Sequence, residues 1–265
     1  MAEQVKLTAN NVESFTNWLK KFSLIDKSLL FEIDEGSKEF IAKSYNEERS
    51  VVKMSQITFD DAGMSAKDSE KNPKRIKFGI YDISKFIKIL DHFQDEFEIV
   101  FKYDEVLSDQ ESEYAGTSIL LKSKTLKISI ECTSLNIFKY IPDNMFKNKV
   151  AKVSAKTIFE LGKENIQKIN SLCSLDKDYK FMEFLNDKNK VFAKSKTFEL
   201  FLEKSDTSDD IKLDILKDQF TKIDLEDYKV ELGDDRLVFS STKTDTITVI
   251  SEVEKDERYD EKSEI

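Results

Sequence analysis

The chain has 265 residues, of which 39% are hydrophobic and 35% are charged, and its formal net charge at pH 7 is −10. This length suits one large domain or two ordinary ones, and the periodic apolar residues exclude a chain that is disordered throughout. An evenly spread negative charge would also argue against nucleic-acid binding, because affinity for phosphate comes from Lys and Arg.

Residues with catalytic or metal-binding chemistry are scarce. Histidine occurs once, at His92, and Cys132 and Cys173 are the two cysteines, outside any ligand spacing. We interpret both as reduced core thiols. No stretch approaches 18 apolar residues, and the N-terminus lacks the apolar core of a signal peptide. We therefore expect a soluble cytoplasmic protein with no metal and no cofactor.

The first half opens with a predicted strand at residues 3–8 and an amphipathic helix at residues 10–22. The helix has its apolar side chains spaced by three and four residues: Val12, Phe15, Trp18, Leu19 and Phe22. Alternating residues predict strands at 28–34, 38–44 and 50–59. A polar loop is predicted at residues 61–73.

A strand at residues 74–81 then runs without a break into a second helix at residues 82–93. Asp82 is the predicted N-cap, because its side chain can accept from the first free N–H groups. The apolar face of this helix contains Ile83, Phe86, Ile87, Leu90 and Phe93. Three strands are predicted after it, at residues 97–106, 117–122 and 125–133.

The second half repeats this order. A helix is predicted from an N-cap at Ser154 to about Cys173, with Ile158, Leu161, Ile166, Ile169 and Leu172 as its apolar residues. The remaining predicted elements are strands at 180–185, 190–195 and 197–204, a strand–helix unit at 210–216 and 217–223, and strands at 228–232, 236–241 and 246–253.

A chain built twice from one plan predicts two similar domains of the α+β class, each with antiparallel sheets and two helices on one face. We place domain 1 at residues 1–133 and domain 2 at residues 151–253. Residues 134–150 alternate poorly and contain Pro142, so they are the predicted connector. Residues 254–265 form a predicted acidic tail.

The sign of the charge inverts between the predicted helices and the rest of the chain. The four helices contain nine basic and six acidic residues, a net charge of +3, so the remainder carries −13. An ordinary solvated lysine face explains any one helix. Its repetition in all four favours a surface that faces phosphates. The lysines concerned are Lys20, Lys21, Lys85, Lys88, Lys156, Lys163, Lys168, Lys217 and Lys222.

This order of elements resembles that of the DNA sliding clamps, the processivity factors that include proliferating cell nuclear antigen and the T4-type bacteriophage clamps. The most similar segment is Phe-Gly-Ile-Tyr-Asp-Ile-Ser-Lys-Phe-Ile-Lys-Ile-Leu at residues 78–90, where a strand enters a helix. Residues 136–143 and 227–232 are also clamp-like. The length suits the two-domain, trimeric branch of the family.

The resemblance implies a homotrimeric ring whose helices line a central hole around duplex DNA, and which tethers the replicative DNA polymerase for processive viral DNA replication. Binding would be sequence-independent and topological. The implied partners are duplex DNA, a DNA polymerase, an ATP-dependent clamp loader and two further copies of the chain, with no membrane. A viral clamp would act in the host cytoplasm.

The resemblance also implies two sets of contact residues. Partner peptides would dock in a groove beneath the connector, at Val52, Met54, Ile141, Pro142, Val249 and Ile250. Subunits would pair through two strands, with Leu126, Ile128 and Ile130 of one subunit beside Phe198, Leu200 and Leu202 of the next.

Two other functions stay open at the level of sequence. An enzyme could use the acid pairs Asp60/Asp61 or Asp209/Asp210, but paired acids in polar loops are usually turn residues, and no Walker, GxSxG, HExxH or CxxC motif is present. We therefore expect a protein that is not an enzyme. The other alternative is a viral accessory or interaction protein with a clamp-like fold that does not encircle DNA.

Overall fold

The computed structural model describes residues 3–66, 74–93, 95–107, 112–138, 140–175, 178–207 and 209–253. The chain divides into two compact units, Met1–Ser44 with Met54–Ile141 and Tyr45–Lys53 with Pro142–Ile265. The predicted acidic tail and residues 67–73 of the predicted loop lie outside the described residues. No helix in the described part of the chain is long and apolar enough to cross a membrane.

The first unit is built on a sheet of short strands. These are β1 (Glu3–Ala9), β2 (Leu29–Asp34), β3 (Glu39–Tyr45), β4 (Val51–Thr58), β5 (Met64–Ala66), β6 (Arg75–Ile80), β7 (Phe97–Leu107), β8 (Ser112–Lys122) and β9 (Lys127–Glu131). Their order is β4-β3-β2-β6-β8-β7-β1-β5, with β9 beside β8. Strand β6 pairs parallel with β8 over two residues, whereas β8 pairs antiparallel with β7 and β9.

Two helices cover the core of this unit, α1 (Glu13–Ser23) and α2 (Ile83–Leu90), and they pack against each other. Their buried faces are those that the apolar spacing predicts, including Phe15, Leu19, Phe86 and Leu90. The helices rest on an aromatic core in which the ring of Phe78 lies 5.6 Å from Phe31 and 5.3 Å from Phe101.

The second unit contains two sheets. Its strands are β10 (Thr157–Leu161), β11 (Phe181–Asp187), β12 (Lys190–Lys194), β13 (Glu199–Lys204), β14 (Ile211–Leu216), β15 (Tyr228–Leu232), β16 (Arg236–Ser241) and β17 (Thr246–Ser251). One sheet runs β10-β15-β16-β17 and the other runs β13-β12-β11-β14. The described helices here are α3 (Asp143–Met145), α4 (Lys163–Leu175) and α5 (Lys217–Phe220), with a 3-10 turn at Leu135–Ile137 in the first unit and a π turn at Phe146–Val150.

The predicted helix over residues 154–173 is wrong in its first third. Residues 157–161 form β10, in which Thr157, Phe159 and Leu161 are buried and the residues between them are exposed. The three-residue spacing of Ile158 and Leu161 suggested a helix, but Phe159 completes a period of two. The helix begins only after Gly162, so Ser154 is not its N-cap.

The fold class is confirmed. Both units combine largely antiparallel sheets with a small number of helices, which is the α+β class. The boundary after Ile141 falls inside the segment predicted as connector. The grouping of Tyr45–Lys53 with the second unit had no signal in the sequence pattern.

Candidate functional site

Helix α2 presents an unpaired basic face. Lys85 and Lys88 are exposed, while Ile83, Phe86, Ile87 and Leu90 on the opposite face are buried. Neither lysine side chain makes an ion pair with a residue that the structure describes. Asp82 begins the helix as predicted, because its Oδ1 accepts from the backbone N–H of Lys85 at 2.9 Å. The carboxylate therefore sits at the positive end of the helix, and both lysines remain available to an external anion.

Helix α1 has the same division between its faces. Lys20 is exposed and its Nζ lies 3.4 Å from Oδ1 of Asn17, and Lys21 is half-buried. Phe15, Trp18 and Phe22 fill the core side. The first unit thus contributes four helical lysines, against one acid in the two helices, Glu13.

Helix α4 is capped from outside its own segment. Gly162, immediately before it, has no side chain, and Oδ1 of Asp227 accepts from the backbone N–H of Lys163 at 2.9 Å. Asp227 Oδ2 also lies 2.8 Å from Nζ of Lys243. The hydrogen bond from Lys243, with that from Lys163, lowers the pKa of the Asp227 carboxyl, and the same contact raises the pKa of Lys243. Glycine has no side chain with which to cap a helix, so the cap of α4 has to come from another segment. The sequence did not identify Asp227 as that cap.

The side chains of Lys163 and Lys168 on α4 are exposed. Lys168 makes no ion pair with any residue in the described ranges. Both halves of the chain therefore place exposed lysines on a helix whose opposite face is buried, at Ile166 and Ile169 in α4.

Three lysines predicted to face DNA are placed differently. Lys217 is buried, and its Nζ lies 5.6 Å from the ring centre of Tyr179, so it is not exposed to a phosphate. Lys222 follows the four-residue α5 and pairs with Asp218 at 3.4 Å. Lys156 precedes β10 and lies 3.8 Å from Asp234. The predicted helices at residues 154–173 and 217–223 were longer than the observed ones, which is why Lys156 and Lys222 were included, whereas Lys217 lies in the observed α5 and is buried there.

The charge inversion remains with the observed helix bounds. Helices α1, α2, α4 and α5 contain seven lysines and three acids, a net charge of +4, against −10 for the whole chain. The basic excess is concentrated at Lys20, Lys21, Lys85, Lys88, Lys163 and Lys168. Sequence-independent phosphate contact needs this kind of lysine surface.

The residues predicted for a partner-peptide groove differ in exposure. Met54, Val249 and Ile250 are buried, Val52 and Ile141 are half-buried, and Pro142 is exposed. The carbonyl oxygen of Ile141 accepts from Nζ of Lys43 at 2.8 Å. The centre of the Tyr140 ring lies 5.0 Å from Nζ of Lys43 and 3.9 Å from Nζ of Lys77. The start of the predicted connector is therefore held against β3 and β6 by two cations.

Both strands predicted at the subunit interface lie at sheet edges. Among the described residues β9 pairs only with β8, and β13 pairs only with β12. The predicted contact residues are all incompletely buried: Leu126, Ile128, Ile130, Phe198, Leu200 and Leu202. Half-exposed apolar side chains on an unpaired edge are a surface that natural proteins usually cover.

Among the described residues, the side chains with catalytic or metal-binding chemistry can be located. No group of three or more of the described His, Cys, Asp or Glu side chains could hold a metal ion. Cys132 and Cys173 are both half-buried and outside any disulfide, and burial raises the pKa of the Cys132 thiol to about 12. Asp61 accepts from the Thr58 hydroxyl at 2.7 Å, which is a turn contact.

Comparison with known proteins identifies the fold. No family model and no curated protein matches the chain. Among solved structures, the Helicobacter pylori β clamp bound to a DNA ligase peptide matches with a TM-score of 0.66 and 14% identity, over 95% of this chain and 66% of that one.

Two proliferating cell nuclear antigens match over almost their whole length. The Entamoeba histolytica protein has a TM-score of 0.63 and 12% identity, with 95% of this chain and 99% of that one covered. The A. fulgidus protein, bound by the C-terminal region of FEN-1, has a TM-score of 0.61 and 10% identity, with 95% and 100% covered. The chain therefore has the fold of the DNA sliding clamps, and it spans about two thirds of the bacterial clamp's length.

Proposed function

We propose that this chain is a sliding clamp that encircles duplex DNA as a homotrimeric ring and tethers a replicative DNA polymerase. The observation that carries the proposal is the set of exposed helical lysines in a clamp-fold chain of net charge −10, above all Lys85, Lys88 and Lys168. Lysines on helices can neutralise phosphates without reading bases, so the contact is independent of sequence. The negative remainder repels DNA, which favours topological over adhesive binding.

The trimer is supported by length and by the two sheet edges. The chain matches nearly all of the two proliferating cell nuclear antigens but only 66% of the bacterial clamp. This agrees with the two-domain branch that the sequence resembles, with domains at residues 1–133 and 151–253 joined by residues 134–150. Pairing of β9 with β13 of a neighbouring subunit would cover both edges.

The partners follow from the same proposal. A DNA polymerase and an ATP-dependent clamp loader would dock through short peptides, as the ligase peptide does on the H. pylori clamp. Among the predicted groove residues, Pro142 is exposed and Val52 and Ile141 are half-buried, so a peptide could reach these three. The T4-type resemblance at residues 78–90 supports the proposal that the protein acts in bacteriophage DNA replication, in the host cytoplasm and without enzymatic activity of its own.

The first test is native mass by light scattering over a dilution series. A closed trimer of 30.8 kDa subunits has a mass of about 92 kDa. The assembled protein is then loaded on nicked circular DNA with its loader, and retention is measured before and after the circle is linearised. Loss of the protein only after linearisation supports encirclement.

A matched pair of variants separates the helical lysines from general charge. Lys85→Glu with Lys88→Glu should abolish retention on circular DNA, because the two substitutions replace phosphate-facing cations by anions. Lys6→Glu with Lys229→Glu makes the same charge change at exposed positions on β1 and β15 and should retain the clamp. Equal behaviour of the two variants, or a monomer at every concentration, would favour an accessory protein that does not encircle DNA.

A further inference from the structure

A row of large apolar side chains lies on the solvent face of the sheet β13-β12-β11-β14. Leu185, Phe192 and Phe201 are aligned across β11, β12 and β13, and the rings of Phe192 and Phe201 lie 5.7 Å apart. The neighbouring residues of β12, Val191 and Ala193, point to the core. Phe201 is 48% exposed at the edge of the sheet, so its contact with Phe192 leaves about half of the side chain uncovered within the subunit.

The edge strand of the first unit, β9, has a lysine beside another lysine. Lys127 on β9 lies directly across from Lys122 on β8, and like charges in this position destabilise a sheet. Lys122 also lies across from Glu98 on β7. Lys127 is exposed and makes no ion pair with a residue in the described ranges. Of Glu98, Lys122 and Lys127, it is therefore the one that lacks an oppositely charged neighbour.

The hydrogen-bonding pattern shows which backbone groups the two edges leave free. The Cys132 N–H donates to Thr117 and the Ser123 N–H donates to Leu126, so the even-numbered residues of β9 bond to β8. The Ser195 N–H donates to Phe198, which likewise turns the even-numbered residues at the start of β13 toward β12. The backbone N–H and carbonyl groups that point outward are therefore those of Lys127 and Ser129 on β9 and of Glu199 and Phe201 on β13.

Two antiparallel registers bring these free groups together, and one of them meets three obstacles. Aligning Ser129 with Phe201 places Glu131 against Glu199, which is a like-charge pair. It also places Lys127 against Glu203, whose Oε2 already accepts from the backbone N–H of Glu160 at 2.7 Å. A β-bulge interrupts this part of the strand as well.

The other register avoids all three, although Glu199 already lies 3.6 Å from Nζ of Lys194 at an exposed position in its own subunit. It aligns Ser129 with Glu199, a hydroxyl that can donate to a carboxylate, and Lys127 with Phe201. On the core face it brings Ile128 beside Leu200 and Ile130 beside Phe198, which matches apolar with apolar. It leaves Glu131 across from Thr197, so no like charges meet between the strands.

We propose that subunits join with Lys127 of one subunit over the ring of Phe201 of the next, and with Ser129 across from Glu199. This inference rests on the proposed homotrimer and specifies its register. An ammonium within about 6 Å of an aromatic ring centre is attracted to the ring face. The contact uses the exposed ring and gives Lys127 the neighbour that its own subunit does not provide.

Disulfide trapping tests the register in the full chain. In a background with Cys132→Ala and Cys173→Ala, Ser129→Cys is combined with either Glu199→Cys or Phe201→Cys. Directly opposed residues in an antiparallel ladder have Cα atoms about 5.5 Å apart, within disulfide range, whereas diagonal ones are about 7–8 Å apart and outside it. We expect covalent oligomers from Ser129→Cys with Glu199→Cys on mild oxidation, and at least tenfold less from Ser129→Cys with Phe201→Cys.

The outcomes separate this inference from the proposed function. A trimer by light scattering that cross-links through Ser129→Cys with Phe201→Cys, or through neither pair, overturns the register and leaves the ring standing. A chain that stays monomeric overturns both. A second measurement uses Lys127→Gln and Phe201→Leu, each of which should weaken the trimer several-fold on dilution, while the double variant should be little weaker than either single one.

Discussion

Lys53 Nζ lies 3.0 Å from both carboxylate oxygens of Asp224 and 2.8 Å from the carbonyl oxygen of Lys222. The lysine side chain is fully buried and that of Asp224 is 12% exposed. Three acceptors thus surround one ammonium group inside the second unit. A buried cation is tolerated only when it is paired in this way, because desolvation of an isolated charge is costly.

Removal of either charge of this pair should destabilise the protein strongly. Lys53→Met leaves the Asp224 carboxylate without its cation, and we expect a loss of about 3–5 kcal/mol in the free energy of unfolding. The measurement is the urea midpoint, followed by circular dichroism. The double variant Lys53→Met with Asp224→Leu should recover much of the loss, since no unpaired charge remains. A double variant as unstable as the sum of the two single ones would contradict this account.

The cap of α4 predicts a dependence of stability on pH. The pKa of Asp227 is lowered by its hydrogen bonds with Lys243 and Lys163, so its contribution is fully present above the unfolded pKa of about 3.9. The contribution is lost as the pH falls through the lower, folded pKa. Melting temperatures of the wild type and Asp227→Asn should therefore differ at pH 6, and the difference should shrink as the pH falls below the unfolded pKa of the carboxyl.

The asparagine variant is the matched control for this effect. Its side-chain oxygen can still accept from the Lys163 N–H, but it has no charge to titrate. Asp227→Ala removes the acceptor as well and should be less stable than Asp227→Asn at every pH. A difference between wild type and Asp227→Asn that stays constant from pH 6 to pH 2.5 would show that the Lys243 contact does not stabilise the carboxylate.

The turn before β5 depends on glycine. Gly63 has a φ of +73°, and an added Cβ would meet the carbonyl oxygen of Asn11 at 1.8 Å. Gly63→Ala must therefore move the start of α1 or the turn itself, and we expect a loss of more than about 1 kcal/mol in the free energy of unfolding. Gly162→Ala is the control, because its Cβ would lie 3.7 Å from Asp227 and should cost much less. Equal urea midpoints for the two variants would be contrary to this expectation.

The sequence predicted elements whose signal is local. Helix α2 and its cap at Asp82 were predicted because the apolar spacing and the capping residue lie within one segment, and both are confirmed. Residues 157–161 were predicted wrongly because they fit two patterns. Ile158 and Leu161 have the spacing of one helix turn, whereas Thr157, Phe159 and Leu161 have the alternation of a strand. Only the sheet partner, β15, decides between them.

The site could be predicted only in part for a similar reason. Exposure of Lys85 and Lys88 follows from the face of one helix, so the pattern sufficed. Burial of Lys217 involves Tyr179, which lies far from it in the sequence, so no local pattern indicates it. The contact of Lys53 with Asp224 joins residues that are 171 positions apart, and a single sequence contains no signal for it.

The free edge of β9 predicts that one proline can prevent assembly without unfolding the subunit. The Ser129 N–H points away from β8, so Ser129→Pro removes no hydrogen bond within the sheet and is tolerated on an edge strand. In a trimer the same N–H would bond to β13 of the neighbouring subunit. We therefore expect Ser129→Pro to scatter light as a 30.8 kDa monomer, with a melting temperature close to that of the dissociated wild type.

Two comparisons make this result interpretable. Ser129→Ala keeps the N–H and should stay trimeric, which excludes the hydroxyl as the cause. Ile128→Pro removes an N–H that is directed at β8. It should therefore lower the melting temperature of the monomer as well as the mass of the species in solution. Because Ser129→Ala keeps the outward N–H that Ser129→Pro removes, a trimeric Ser129→Pro would mean that the subunits do not join through the edge of β9.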